Sequence, residues 1–520
     1  MLGNRRRHRR ATFVSVLAVL GLVAASCGDD DDAGSADTEA PTGTEAPDGT
    51  EAPAGTEAPG TTAAPAGTAP GTTLPPPPTI APGGTTPDGA TVVRWFVGLG
   101  TGSQVAQIDR QQELVAQFNE EHDDIELVVE FVNNNVAKDT LATQIAGGNP
   151  PDIIGPVGRE GSNAFAGQYL DLEPLVDSAG YDLTVYPEGM VDALREEDGT
   201  MTSLPFASYP SALFYNTALF DEAGLPYPPT EFGATYGEGT EWEGPWDFDK
   251  LEEIATFLTV DANGVDATDP AFDRSVVEQW GFVHQWVAPP KAQGTLWGAA
   301  SIMNAEGNAE VPQNWLDEWK WYHRMIHEVG ASPNQTELDS DILAGNAFNS
   351  GRVAMANTHL WYTCCLFDGD GNARTDWNVA ALPAYNDTTT AKMHADTFKI
   401  HKDTQNPDAA FEVLAWINGE AALDFLTVYG AMPANPELVD SYFARLDESF
   451  TQGVDWQVFL DAFEYVDDPS HELNMPSFIE SDERIKELEP QINGEPDLDL
   501  DAAAAELESD LDAIWAAAGG

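Results

Sequence analysis

Cys27, Cys364 and Cys365 are the only cysteines among 520 residues, and two of them are adjacent, in "LWYTCCLFDGDG" (Leu360 to Gly371). Neighbouring Cα atoms lie about 3.8 Å apart, below the usual disulfide range, so a bridge between Cys364 and Cys365 would close an eight-membered ring. Two readings are open: a vicinal disulfide that stiffens the turn beside Trp361, or two buried thiols packing as small hydrophobes. Other reactive patterns are missing. The folded part has no G-x-S-x-G elbow, H-E-x-x-H pair or P-loop, and its histidines show no metal spacing, so neither a cofactor nor a metal site is expected. "DGDGN" (Asp368 to Asn372) starts like a calcium loop, but Ala373 replaces the required glycine and Val379 the bidentate glutamate, which leaves a turn. With 87 acidic residues, a pair of carboxylates at glycosidase spacing carries no weight.

The remaining chemistry is recognition. Sugars offer apolar C–H faces and a ring of hydroxyls, and aromatic platforms beside Asp, Asn or Gln match both. The chain holds 14 Trp, 13 Tyr and 23 Phe, most of which must be core.

The elements that would hold such groups begin at Thr91. "VVRWFVG", "IELVVEFV" (Ile125 to Val132) and "DIIGP" (Asp152 to Pro156) read as strands. Between them lie helical patterns at Gln104 to His122, with Ser103 as N-cap, and at Val136 to Ala146. This alternation predicts a parallel α/β sheet, whose ligands bind at strand carboxyl ends. That rule selects the loops Gly98 to Ser103, Asn133 to Asn135 and Gly155 to Ser162, with Asp152 holding its own loop. Further helices are expected at Asn314 to Gly330, at Asn406 to Gly419 with an Asn cap and Pro at the first position, and at Asp499 to Trp515.

Before Thr91 the composition differs. Arg5, Arg6, Arg7, Arg9 and Arg10 precede the apolar run Ala11 to Ala25, a secretory signal pattern over residues 1–26. "VAASC" resembles a lipobox, with Ala24 where leucine is commonest, which implies cleavage before Cys27 and its acylation; an ordinary signal with Cys27 incidental is the alternative. Residues 28–90, with "DDDD", repeated "GTEAP" and "PPPP", have little to bury and read as a tether of roughly 50 Å as a coil. A formal charge of −64 repels nucleic acid and anionic lipid and favours a neutral or cationic ligand.

Six segments in order, "FNEEHDDIELVVEFV", "IAGGNPPDII", "ALFYNTALFDEAGLPYPP", "FNSGRVAMANTHLWY", "WNVAALPAYN" and "ADTFKIHKDTQNPDAAFEVLAWI", resemble the extracellular solute-binding proteins of ATP-driven sugar importers, the maltose- and glycerol-phosphate-binding group. The resemblance implies a two-lobe periplasmic-binding-protein-like (type II) α/β fold with the ligand in the cleft. Its template gives an N-lobe of residues 91–208 plus 390–434 and a C-lobe of residues 209–389 plus 435–520. It further implies a receptor outside the cell that captures a saccharide or related polyol, a neutral saccharide first, and delivers it to ABC permease transmembrane subunits, with no enzymatic activity. Together with the lipobox and the charge, the expectation is a monomer whose lipid anchor is its only membrane contact and which has no nucleic-acid partner. An extracellular carbohydrate-active enzyme or adhesin is the competing reading.

By the same resemblance, Trp361 falls on a sugar-stacking tryptophan, Tyr209 on the first crossing between lobes, Tyr429 beside a later connection, and Phe478 near a further contacting aromatic. Asn133, Asn134 and Asn135 are candidates by strand-end position. Asp396 and Phe398 stand where many relatives have small residues; either they narrow the cleft or they face lobe packing. The loop Thr230 to Phe248 is a lid or a surface elaboration.

Overall fold

The computed structural model describes residues 83–518 apart from 188, 197, 288–289, 344–345, 369–370 and 468–473. The expected signal segment, Cys27 and the expected tether up to residue 82 lie outside the described residues.

Strands β1 (Thr91–Val97), β2 (Ile125–Phe131) and β3 (Ile153–Val157) form where apolar, β-branched residues run nearly unbroken, as burial on both faces requires. β1 pairs in parallel with β2 on one side and β3 on the other. Helix α1 (Val105–Glu121) connects β1 to β2, and α2 (Asn134–Ala146) connects β2 to β3. Two caps differ from expectation. Gln104, not Ser103, is the cap residue of α1, its amide donating to Gln107 Oε1 at 3.3 Å, while the Ser103 hydroxyl bonds the Asn134 side chain. Asn406 precedes its helix, Pro407–Asn418, without a side-chain bond to it.

The molecule is organised by β4 (Ser203–Asn216), fourteen residues that are all buried. At about 3.3 Å per residue it spans about 45 Å. Its partners change midway. Up to Pro210 it pairs antiparallel with β8 (Met393–Ile400), and from Ser211 with β6 (Val353–His359). β5 (Val277–His284) joins beside β6, and β7 (Trp377–Ala380) pairs with Leu213 to Asn216 of β4 on the edge opposite β6. The resulting order is β2-β1-β3-β8-β4-β6-β5. A proline cannot donate to a ladder, and Pro210 stands where the partner changes. Pro205 faces Thr397 and Ala207 faces Asp396, so β4 carries one extra residue, Phe206, at that step.

On the β1–β3 side, α2 buries Ala137 and Leu141 against Phe96 and Ile154. On the other side a separate core joins Leu213, Phe282 and Met355 to the helices Gln313–Arg324, Phe478–Lys486 and Leu500–Ala518. The helix from Gln313 continues through a widened turn, Met325–Val329, and ends at Gly330 in left-handed conformation. The segment Thr230 to Phe248 forms a two-stranded ribbon, with Tyr236 stacked on Trp246 and Trp246 Nε1 donating to Ala381 O.

Candidate functional site

A cavity of about 800 Å³ opens at the carboxyl ends of β1, β2 and β3. The loops Gly98–Ser103 and Asn133–Asn135 and residues Gly158 to Gly161 form one wall, as strand-end position predicts. Trp286, Val287, Trp361 and Cys364 belong to the facing wall, and Lys392, His394 and Asp396 from β8 line it as well.

Trp361 lies in the short helix Leu360–Cys365 at the end of β6 and is partly buried. Its ring stacks on His359 at 4.2 Å and 29° and packs against His394 at 4.9 Å and Tyr209 at 5.4 Å. Gly430 fits behind it: φ is +63°, and a Cβ there would meet Thr363 Oγ1 at 2.7 Å and Trp361 O at 3.0 Å. The Trp361 backbone thus packs closely on Gly430, while its indole rests on His359, His394 and Tyr209 and lines the cavity.

Asp396 and Phe398, two residues apart on β8, divide between the two expectations: Asp396, nearer the start of the strand, lines the cavity, while Phe398 is fully buried against Trp95 and Phe206. Asp396 Oδ2 accepts from the Thr101 amide, the Thr101 hydroxyl and the Tyr209 hydroxyl, each at 3.4 Å. The backbone must come close here: a Cβ on Gly100 would sit 2.6 Å from Pro156 O and 2.7 Å from Asp396 Oδ2.

Three expected contacts are corrected. Tyr209 is buried and lies behind the wall, its hydroxyl 3.0 Å from Thr101 Oγ1; burial, then the Asp396 charge, push its pKa well up. Tyr429 is buried and donates to Gln111 Oε1 at 2.8 Å. Phe478 packs in the core, with Lys291 Nζ 5.4 Å above its ring. None of the three lines the cavity. The reason is shared: large aromatics next to a crossing strand or helix end are worth more as packing than as surface.

Of the asparagines, Asn133 caps α2 by accepting from Asn135 N at 3.0 Å, and Asn134 Nδ2 donates to Gly100 O at 2.8 Å. All three line the cavity, but Asn133 and Asn134 also fix its shape. Asp152 accepts from Arg94 N at 2.9 Å and Thr404 Oγ1 at 2.6 Å and holds its loop. No residue of Thr230 to Phe248 lines the cavity. The sulfurs of Cys364 and Cys365 are paired, and Cys364 faces the cavity.

Residues outside the expected set also line it. Trp286 has φ +59°, a left-handed conformation rare for a bulky side chain, and its ring meets Tyr362 edge-on at 5.1 Å. Its only sequence signal is an aromatic just past a strand, in "WGFVHQW". Lys138, Lys291 and Lys486 converge on Glu160 and Asp482. In all, four lysines and five carboxylates line the cavity, a formal charge of −1 in a chain of −64. Among the described residues no group of His, Cys, Asp or Glu is placed to hold a metal, and no helix is long and apolar enough to cross a membrane.

The fold recurs in solved structures. An ABC substrate-binding protein of Listeria monocytogenes in complex with cycloalternan superposes with TM-score 0.62 at 19% identity, covering 81% of this chain and 98% of that one. An ABC transporter solute-binding protein of Agrobacterium radiobacter in complex with ribitol gives 0.62 at 18%, with 81% and 98% covered. Maltose-bound MalE3 of T. maritima gives 0.61 at 14%, again with 81% and 98% covered. These are two-lobe binding proteins of the maltose-binding type, and the architecture here is theirs. In sequence, the sn-glycerol-3-phosphate-binding periplasmic protein UgpB of Agrobacterium fabrum is 31% identical over 144 residues, 26% of this chain and 31% of that protein. The match thus spans about a third of the curated relatives' length. These relatives are binding proteins of transporters, not enzymes. A family model described as bacterial extracellular solute-binding protein matches residues 108–423, more than half of the sequence, and the chain belongs to that family.

Proposed function

We propose that this protein is the receptor of an ABC importer, closing on an uncharged saccharide or polyol and presenting it to the permease subunits. The observation that carries the reading is Trp361, held edge and back by His359, His394 and Tyr209, with its free surface in the same cavity as Asp396 and Asn133 to Asn135. An apolar platform beside hydrogen-bonding groups matches a ring that is apolar on its face and hydroxylated at its edge. The near balance of lysines and carboxylates supports an uncharged solute, because a net ionic ligand would leave one sign uncompensated.

The lobes are taken as residues 91–208 plus 390–434 and residues 209–389 plus 435–520, and the partner change of β4 at Pro210 supports the first crossing. Solute touching both lobes binds the closed state better than the open one and shifts the population toward it. The mature protein is a monomer tethered through acylated Cys27 to the outer face of the membrane, with Cys364 and Cys365 joined as a vicinal disulfide in the cleft wall.

Calorimetry over a panel of disaccharides, polyols and glycerol 3-phosphate, with product analysis of each mixture, tests the reading. Stoichiometric binding of one uncharged member, recovered unchanged, is the expected result. Turnover of any member would establish an enzyme instead, and binding confined to the phosphate would overturn the uncharged class.

A further inference from the structure

Five charged side chains of the cavity wall bind one another. Asp482 has a fully buried side chain and accepts from Lys291 at 2.7 Å, Lys486 at 2.7 Å and Lys138 at 3.1 Å. Glu160 accepts from Lys486 at 2.7 Å and Lys138 at 3.1 Å. The two carboxylates come from different bodies of packing. Glu160 follows β3, and Lys138 lies on α2, whose neighbours Ala137 and Leu141 belong to the β1–β3 core. Asp482 and Lys486 lie on the helix Phe478–Lys486, whose Phe478 and Ile485 belong to the core of Leu507, Leu511 and Trp515.

We propose that Lys138, Glu160, Asp482 and Lys486, supported by Lys291, form an electrostatic clasp that closes the two halves over the cavity and positions them for solute capture. Of the five ion pairs among these described residues, Lys138–Asp482 and Lys486–Glu160 cross between the halves. Lys138–Glu160 lies within one half, and Lys291–Asp482 and Lys486–Asp482 lie within the other. Opening therefore breaks the crossing pairs without leaving any of the five charges alone. That distinction matters, because stranding a buried ion is far more costly than separating two pairs that each keep a partner. The crossing lysines are 24% and 35% exposed, so their attraction is stronger than that of a surface pair and still within reach of salt. Burial lowers the Lys486 pKa and the Glu160 and Asp482 charges raise it more, for a net upward shift that keeps the ammonium charged. Asp139 and Glu483, which also line the cavity, add negative charge beside these lysines. Arg484, on the same helix, pairs instead with Asp510 of its own half at 2.8 Å.

The clasp acts without solute, which keeps its test separate from the transport reading: a panel with no binding sugar would sink that reading and leave this one standing. Small-angle scattering of the ligand-free full chain is measured for wild type, Lys486→Met, Glu160→Gln and the double variant, with Arg484→Met as control. Each single variant is expected to lower the closed-to-open ratio about 3- to 10-fold and to enlarge the radius of gyration. The double variant should add little, because both changes remove the same crossing pair. The control should match wild type. For a variant that loses cooperative melting, the wild-type salt series replaces it, from about 0.1 M to about 1 M, over which the Debye length falls from about 10 Å to about 3 Å. Expansion with salt supports the clasp. Scattering that changes neither with salt nor in any folded variant overturns it, as does an Arg484→Met effect equal to that of Lys486→Met.

Discussion

The cavity carries two kinds of polar wall. Around Trp361, the Asp396 carboxylate is met at 3.4 Å by Thr101 and Tyr209, longer than a well-formed bond. Around Asp482, lysines sit at 2.7 to 3.1 Å. A carboxylate that accepts from neutral hydroxyl and amide donors can take a solute hydroxyl in the same way, whereas a carboxylate held by three lysines gains little from doing so. The first wall is therefore suited to recognition and the second to holding a conformation. They should also respond to different perturbations: aromatic truncation and acid for the first, salt for the second.

The largest effect that would sharpen this contrast is Trp361→Ala. Loss of a central indole should weaken solute binding by about 2 kcal/mol or more, about 30-fold, in calorimetry with the solute found by the panel, while leaving the ligand-free scattering curve unchanged. An unchanged affinity would remove Trp361 from the recognition wall. Asp396→Asn keeps the shape and removes the charge, and it should cost about tenfold in affinity. Equal losses for hydroxylated and deoxygenated solutes would argue that Asp396 serves only to hold Tyr209 and Thr101.

The histidines give the recognition wall a pH signature that the clasp lacks. His359 is buried with neither ring nitrogen hydrogen-bonded, and burial, followed by His394 and Lys392, holds its pKa well below the usual value. A folded pKa below the unfolded one means that the unfolded chain takes up the proton first. Stability is then full above about pH 6.5 and falls with acid, by about 1 kcal/mol between about pH 6.5 and about pH 5.5. Melting curves across that range should show the loss in wild type and a smaller one in His359→Gln. The smallest effect is expected for the cysteines. Unreduced protein should be two hydrogens lighter than reduced protein by intact mass, and replacing both by serine should change stability by less than roughly 1 kcal/mol, since the bridge closes almost no loop. Two free thiols in the unreduced protein would end the disulfide assignment.

How much of the site was legible depended on the range of the interaction. Strand-end loops were found because a parallel βαβ pattern fixes where strands end, and Asn133 to Asn135 follow from it. The resemblance of the segment ending in Trp361 points to a residue that the structure has lining the cavity. Tyr209 and Tyr429 were assigned to the right neighbourhood and the wrong surface, since proximity to a crossing does not say which side of the wall a ring occupies. The clasp was not visible at all. Lys138 and Asp482 are 344 residues apart, and nothing local marks either as paired. Trp286 left only a weak trace, because its unusual φ is imposed by neighbours and not by its own preference.

By itself, then, the sequence determined what local periodicity and composition can encode: strands and helices of an α/β body, an apolar signal pattern ahead of it, a strongly acidic surface, and a solute-binding family written in six ordered segments. Tertiary structure decided which polar groups meet. The pairing of β8 between β3 and β4 put Asp396 at the cavity and Phe398, two residues on, in the core, and the packing of two separate cores brought Glu160 against Lys486. Those outcomes rest on distances between atoms far apart along the chain, where a shift of one residue in register reverses the face a side chain shows.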